Sequence, residues 1–229
     1  MLELPAGEAH HLLKALRGKR GDWIEVVDIT GRLFAAELRE GGEAVVLEEL
    51  AAPDVANTEV SLYQAVPKGG RMDLVVEKAT EVGATRIVPL LTQRGVVNPR
   101  EGKVGRWRRV AEAAARQSLR LGIPEVSDPV PFSQAVSRVG ERGVLLHNAP
   151  GIPPVEAVVG SPAGLFVGPE GGWSEGELRL AGDAGMPLCS MGPYRLRSET
   201  AGIVAVARAF AALALSLHDA LPINRKSVV

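Results

Sequence analysis

LFVGPEGGWSEGEL, residues 165–178, and MGPYRLRSETAGIVAVARAF, residues 191–210, carry the pattern that decides how this chain folds. Each belongs to an apolar strand, a tight Gly/Pro loop and a helix start. In the first, Leu165, Phe166 and Val167 run into Gly168-Pro169-Glu170-Gly171-Gly172. Ser174 stands three residues before Glu177, the spacing of a helix cap and its reciprocal carboxylate. In the second, Ser198 precedes a Glu-Thr-Ala run and an apolar helix from Ala201 onward. Two such loops, about twenty residues apart, imply backbone amides and carbonyls converging on one small ligand. Taken alone, a Gly-rich loop before a helix also serves as a mere sharp turn. Neither loop has the Lys-Ser/Thr of a phosphate-binding Walker loop, and neither reads GxGxxG, which disfavours a nucleotide-dependent dehydrogenase.

Outward from these loops the chain alternates between strand and helix. Apolar runs predict strands at 59–66, 86–91, 143–147, 165–167 and 187–190. Helical patterns are expected at 71–82, 102–119, 133–139, 174–184 and 199–217. Such alternation implies a mostly parallel sheet covered by helices on both faces. The first part of the chain differs: a helical stretch at 8–16 precedes strands at 22–29, 33–38 and 44–50, with a turn at 29–32. A small barrel is the economical arrangement, because these strands otherwise expose their edges. AAPDVANT, residues 51–58, reads as a linker. SLHDALPINRKSVV, residues 216–229, lacks periodicity and is set aside from the functional reading.

Composition narrows the function classes. A chain of 229 residues with 46% hydrophobic and 23% charged residues has the make-up of a soluble globular protein with one good core and a smaller second one. No apolar run has membrane-spanning length, since Arg208 interrupts the Ala-rich final helix, which reads as a core or dimer-interface helix. MLELPAGEAHH carries no basic-then-apolar secretory pattern. The single cysteine, Cys189, excludes an intrachain disulfide, argues against a Cys-based metal site and fits a reducing cytoplasm. No metal site is expected from the four histidines either; His10 and His11 are adjacent and face different ways on a helix. Net charge is −1, so any attraction to nucleic acid has to be local. Lys14, Arg17, Lys19 and Arg20 cluster in the first domain. Arg106, Arg109, Arg116 and Arg120 recur at helical steps that place them along one face, either as an RNA-gripping stripe or as a solvated face paired with Glu101 and Glu112.

The two loops together resemble the knotted SPOUT-class methyltransferases, and specifically the RsmE-like family that methylates a uridine of 16S ribosomal RNA at N3. AVPKGGRMDLVVEKATEVGATRIVPLLTQRGVV, residues 65–97, is similar to the family's early segment, and AEAAARQSLRLGIP, residues 111–124, to its Gln-Ser helix end. Residues 8–38, with HHLLKALRGKRGDWIEVVDITG, resemble its N-terminal PUA-like barrel. The likeness covers most of residues 1–215; Gly-Pro-Tyr at 192–194 and Ser198 are departures within the second loop. It implies a PUA-like barrel that guides RNA over 1–52 and a SPOUT-type, trefoil-knotted, mostly parallel α/β sheet over 58–215. It also implies a cytoplasmic homodimer that acts on 16S ribosomal RNA or the small ribosomal subunit, with S-adenosylmethionine (SAM) as methyl donor.

By the same resemblance, the cofactor pocket consists of Leu146 and His147 at a strand end, Gly168, Pro169, Glu170, Gly171 and Gly172, and the 191–197 loop with Met191, Gly192 and Leu196. Glu170 is then either compensation for the cofactor's cation or a carboxylate at a helix start. Arg197 and Glu199 are the candidates for organising the acceptor uracil, the alternative being a surface ion pair. Lys14, Arg17, Arg109, Arg116, Gln117 and Arg120 are the candidates for holding RNA. Trp173 either packs or lines a base pocket. Uridine N3 carries a proton at neutral pH, so the chemistry requires that proton to leave or the resulting anion to be stabilised, for instance by a guanidinium. No residue is identified as a general base. Two other readings stay open: methylation of a different RNA, such as a tRNA ribose 2′-O, and an RNA-binding assembly factor without catalysis.

Overall fold

The computed structural model describes residues 2, 3, 10, 13, 14, 17–28, 30–40, 43–51, 58–97, 99 and 102–218, without the side chains of 2, 3 and 215–218. The expected helix at 8–16, the 51–58 linker and the tail beyond 218 lie wholly or mostly outside the described residues. By compactness the chain divides into residues 1–54 with 116–122, and residues 55–115 with 123–229.

The first unit holds a four-stranded antiparallel sheet of β1 (Leu2–Glu3), β2 (Trp23–Val27), β3 (Leu33–Leu38) and β4 (Glu43–Leu50), in the order β1-β4-β3-β2. Its small core is built from Ala35, Ala36, Leu38 and Ala44. Asp28 closes the predicted turn by accepting hydrogen bonds from the Thr30 hydroxyl and from the backbone N–H groups of Thr30 and Arg32. These donors favour the ionised form and hold its carboxyl well below the usual carboxylate range.

The second unit contains β5 (Val60–Ala65), α1 (Met72–Glu81), β6 (Arg86–Leu91), α2 (Lys103–Gln117), β7 (Glu125–Val126), β8 (Val130–Pro131) and α3 (Phe132–Val139). It continues with β9 (Gly143–Leu146), β10 (Ala163–Val167), α4 (Glu175–Asp183), β11 (Leu188–Cys189) and α5 (Ser198–His218). The strands form one parallel sheet in the order β11-β9-β10-β5-β6-β7, with β8 also on β6. The short β7 and β8 carry too little apolar sequence to be seen in advance. After β11 the chain returns as α5 to pack on β5, β10 and α1.

Both faces of the sheet are covered, and β10 shows why its sequence reads as unbroken apolar. Leu165 and Val167 join Val60, Leu62, Val75, Val76, Ala205, Val206 and Ala209 in one cluster, beneath α1, α2 and α5. Phe166 points the other way, into a cluster with Leu90, Phe132, Leu145, Trp173 and Met186, beneath α3 and α4. It stacks on Tyr63 at 4.4 Å and meets Phe132 edge-on at 6.0 Å. Side chains alternate between faces along a strand, so a central strand of a doubly covered sheet needs apolar residues at every position.

The final helix begins at Ser198, three residues before its apolar run, and Gly202 marks its close approach to β5. A Cβ there would lie 2.1 Å from Gln64 Oε1, so any other residue would push the Gln64 side chain off its bonds to Ser198 and Ala65.

Two outcomes are expected. Phe166→Ala should cost about 3–5 kcal/mol in denaturant-measured stability, through lost burial and an unfilled cavity. Burial pushes the Cys189 thiol up to about 12 from an ordinary value of 9.0. A raised folded value means that this group's contribution is intact below about 9 and is lost as pH rises toward about 12. Stability should fall across that window, and Cys189→Ala should flatten the fall in pH-dependent urea titrations.

Candidate active site

The carboxyl ends of the parallel strands gather the segments that sequence marked. In open α/β sheets this edge is where ligands bind, because loops and helix N-termini converge there. The end of β9 brings Leu146 and His147, and the His147 N–H donates to the Cys189 carbonyl at 2.9 Å, fixing the adjacent end of β11. The Trp173 indole N–H donates to the Leu146 carbonyl at 2.9 Å. Trp173 is thus a buried packing residue that ties the 168–172 loop to β9.

Glu177 anchors that loop. Its buried carboxylate accepts the Ser174 N–H at 2.8 Å, while Ser174 Oγ accepts the Glu177 N–H at 3.2 Å, completing the predicted capping box. The other Glu177 oxygen accepts the Gln93 N–H at 2.8 Å, and Arg94 donates to the Gly171 carbonyl at 3.1 Å. The loop after β6 therefore braces the loop after β10. With these bonds made, the amides of Gly168, Glu170 and Gly171 donate to no described residue.

A buried chain of hydrogen bonds joins this loop to α5. Gln64 Nε2 donates to Ser198 Oγ at 2.9 Å and to the Ala65 carbonyl at 3.0 Å, and Ser198 Oγ donates to the Gly168 carbonyl at 2.6 Å. Ser198, a departure from the family pattern by sequence, is thus a structural hinge pin between β5, β10 and α5.

The 191–197 loop is held by a residue that sequence reading missed. Arg208 donates from Nη1 to the Met191 carbonyl at 2.9 Å and forms a two-point ion pair with Glu156, with Nη2 to Oε2 at 2.6 Å. These bonds draw the Glu156 carboxyl below its usual value. By sequence Arg208 only interrupted an apolar helix. Leu146 at the end of β9 is buried, and Met191, Gly192 and Leu196 in the segment after β11 are half-buried.

Arg197 and Glu199 do not pair with each other. Arg197 is exposed, and no described residue bonds its side chain. Glu199 is buried and meets Arg71 instead, with Nε to Oε1 at 3.4 Å. Arg71 Nη1 also lies 4.0 Å from Glu170 Oε1, which accepts the Lys68 N–H at 3.1 Å. Glu170 thus faces a cation and an amide of the chain itself. The Gly69-Gly70 turn after β5, with φ of 68° and 75°, delivers Arg71 to this place.

The basic residues fall into separate groups. α2 ends at Gln117, and Leu119 then adopts a φ of 52°, so Arg120 does not continue the helix face expected of it. Arg106 pairs with Asp73 at 2.7 Å rather than with a glutamate of its own helix. Arg109 lies with Arg108 along an open groove between α2 and residues 123–128. Lys14, Arg17, Arg116 and Gln117 are exposed, whereas Arg120 is partly buried, which lowers its pKa. Among the described residues no helix is long and apolar enough to cross a membrane, and no cluster of His, Cys, Asp and Glu is arranged to hold a metal ion.

Comparison with known proteins agrees with this architecture. Residues 55–209 match the family model of the RNA methyltransferase domain. Ribosomal RNA small subunit methyltransferase E of Synechocystis is 35% identical over 215 residues, covering 90% of this chain and 71% of that protein. Its counterpart in Mycobacterium bovis is 34% identical, covering 87% and 82%. The crystal structure of the Neisseria gonorrhoeae enzyme of that name, bound to S-adenosyl methionine, superposes with a TM-score of 0.76 at 28% identity, over 93% of this chain and 92% of that one. A methyltransferase structure from Legionella pneumophila, with SAM as bound cofactor, has a TM-score of 0.72 at 30% identity, over 92% and 91%.

Ser198→Ala should leave both the Gly168 carbonyl and the Gln64 amide short of a partner. A stability loss of about 1–3 kcal/mol is expected in denaturant titrations, with Ser198→Thr costing less.

Proposed function

Because this chain belongs to the ribosomal RNA small subunit methyltransferase E family, we propose that it methylates N3 of a uridine in 16S ribosomal RNA, with SAM as the donor. The observation that best supports a cofactor site is the set of unbonded amides at Gly168, Glu170 and Gly171 in a loop that Trp173 ties to Leu146, at the same strand-end edge as the segment of Met191 and Leu196. The donor set fits SAM: apolar walls suit a flat adenine, and main-chain groups suit its ring edges and ribose hydroxyls. His147, Pro169, Gly172 and Gly192 complete the expected lining. When bound, SAM supplies an activated methyl on a sulfonium, so the protein's task is mainly positioning.

The chain's own residues divide that task. Glu177, Trp173 and Arg208 hold the loops rigid. Arg197, exposed at the α5 entrance, is suited to bind the uracil carbonyl oxygens and to steady charge as the N3 proton leaves. Glu199 organises the N3 edge. Lys14, Arg17, Arg109, Arg116, Gln117 and Arg120 contact RNA phosphates or bases, with the 1–52 segment guiding the substrate. Two copies pair in the cytoplasm to form the working enzyme; half-buried Ile203, Val204 and Ala207 on α5 are consistent with a covered face.

The test is incubation with SAM and small ribosomal subunits, followed by nuclease digestion and mass spectrometry of the nucleosides. N3-methyluridine should accumulate, and Gly168→Trp should abolish both the product and calorimetric SAM binding while thermal unfolding shows the variant folded. A methylated ribose instead would move the reading to another RNA acceptor. SAM binding without product on any RNA would favour an assembly factor.

A further inference from the structure

Glu199 stands in the first turn of α5 with only 8% of its side chain exposed. Arg71 approaches one carboxylate oxygen, Oε1. The other, Oε2, is buried and has no hydrogen-bond partner. An ionised carboxylate only accepts hydrogen bonds, so the partner that Oε2 lacks is a donor. A buried charged acceptor without a donor is costly enough to be rare, and here it lies at the strand-end edge where the ligand loops meet.

The surroundings limit what that donor is. Arg71 is shared, with Nε toward Glu199 and Nη1 toward Glu170, so its guanidinium cross-links the segment after β5, the loop after β10 and the start of α5. At 42% exposure it has one side toward solvent, from which a substrate arrives. Uracil presents a single donor, N3–H, between two carbonyl acceptors. Cytosine presents an acceptor at N3, which a carboxylate repels.

We propose that Glu199 Oε2 accepts the N3–H of the target uracil and takes its proton, and that Arg71 is the positioning residue that holds this carboxylate. The inference rests on the uracil-N3 reading above and adds the base which that reading lacks. The N3–H bond breaks, an O–H bond forms on Oε2, and the electron pair stays on N3. Arg71 keeps Oε1 engaged so that Oε2 alone faces the base. The same pairing selects uracil over cytosine, because the wrong base brings lone pair against lone pair.

The experiment is an NMR-monitored titration of the full-length protein with uridine 5′-monophosphate, its N3-methyl derivative and cytidine 5′-monophosphate. The wild-type protein should bind the uridine nucleotide at least about 10-fold more tightly than either of the others, the discrimination expected when a buried acceptor loses its donor. Glu199→Gln and Arg71→Ala should each erase most of that preference, and Arg71→Lys should restore part of it. Methylation of small subunits by Glu199→Gln should fall by about 10²-fold or more at neutral pH. The deficit should narrow as pH rises and N3 ionises unaided, which a purely structural role would not produce. Equal affinity of the wild-type protein for the uridine nucleotide and its N3-methyl form, or no binding of either, would overturn the inference without any variant having to fold. A wild-type protein that discriminates yet methylates no small subunits would sink the uracil-N3 enzyme reading alone.

Discussion

Gln64 is fully buried at the end of β5, and the hydrogen bonds it forces hold the site together. Its amide nitrogen donates to the Ala65 carbonyl and to Ser198 Oγ, 134 residues away, which ties distant parts of the chain at one buried point. Ser198 passes the restraint on to the Gly168 carbonyl. β5, the loop after β10 and the last helix are thereby locked at one point. Gly202 is the steric half of the same constraint, since a Cβ there would displace the Gln64 side chain. Loop amides can wait unbonded for a ligand only if the surrounding backbone is held this firmly.

Two arginines complete that frame electrostatically. Arg208 clamps the Met191 carbonyl while Glu156 balances its charge, and Arg71 stands between Glu170 and Glu199. Both are partly exposed, so their Coulomb attraction is screened and their value lies in geometry more than in stability. A guanidinium donates in several fixed directions, which suits it to joining two segments at once. The acidic partners, for the same reason, are restrained by the chain before any ligand arrives.

Much of the second unit was legible from its residues. Parallel strands buried on both faces tend to be apolar throughout, so β9 and β10 announce themselves. The Ser174–Glu177 spacing is local, and the capping box forms as that spacing requires. Where local signals were weak the reading slipped. β7 and β8 have two residues each, below the length at which alternation registers. The arginine stripe lost Arg120 because the positive φ of Leu119, a residue with no special tolerance for it, ends the helix early.

The pairings inside the site belong to a different class of information. That Glu199 would face Arg71 rather than Arg197 depends on β5 and α5 lying side by side, although they are separated by more than half the chain. Likewise Arg208 looked like a flaw in an apolar helix until the fold placed Met191 and Glu156 opposite it. Sequence by itself determined the elements, their caps and the glycine loops, because those follow from neighbours within a turn or a strand. Only the tertiary structure decided which buried side-chain oxygens, Glu199 Oε2 among them, were left without a donor, since hydrogen-bond satisfaction is a property of residues that meet in space and not along the chain.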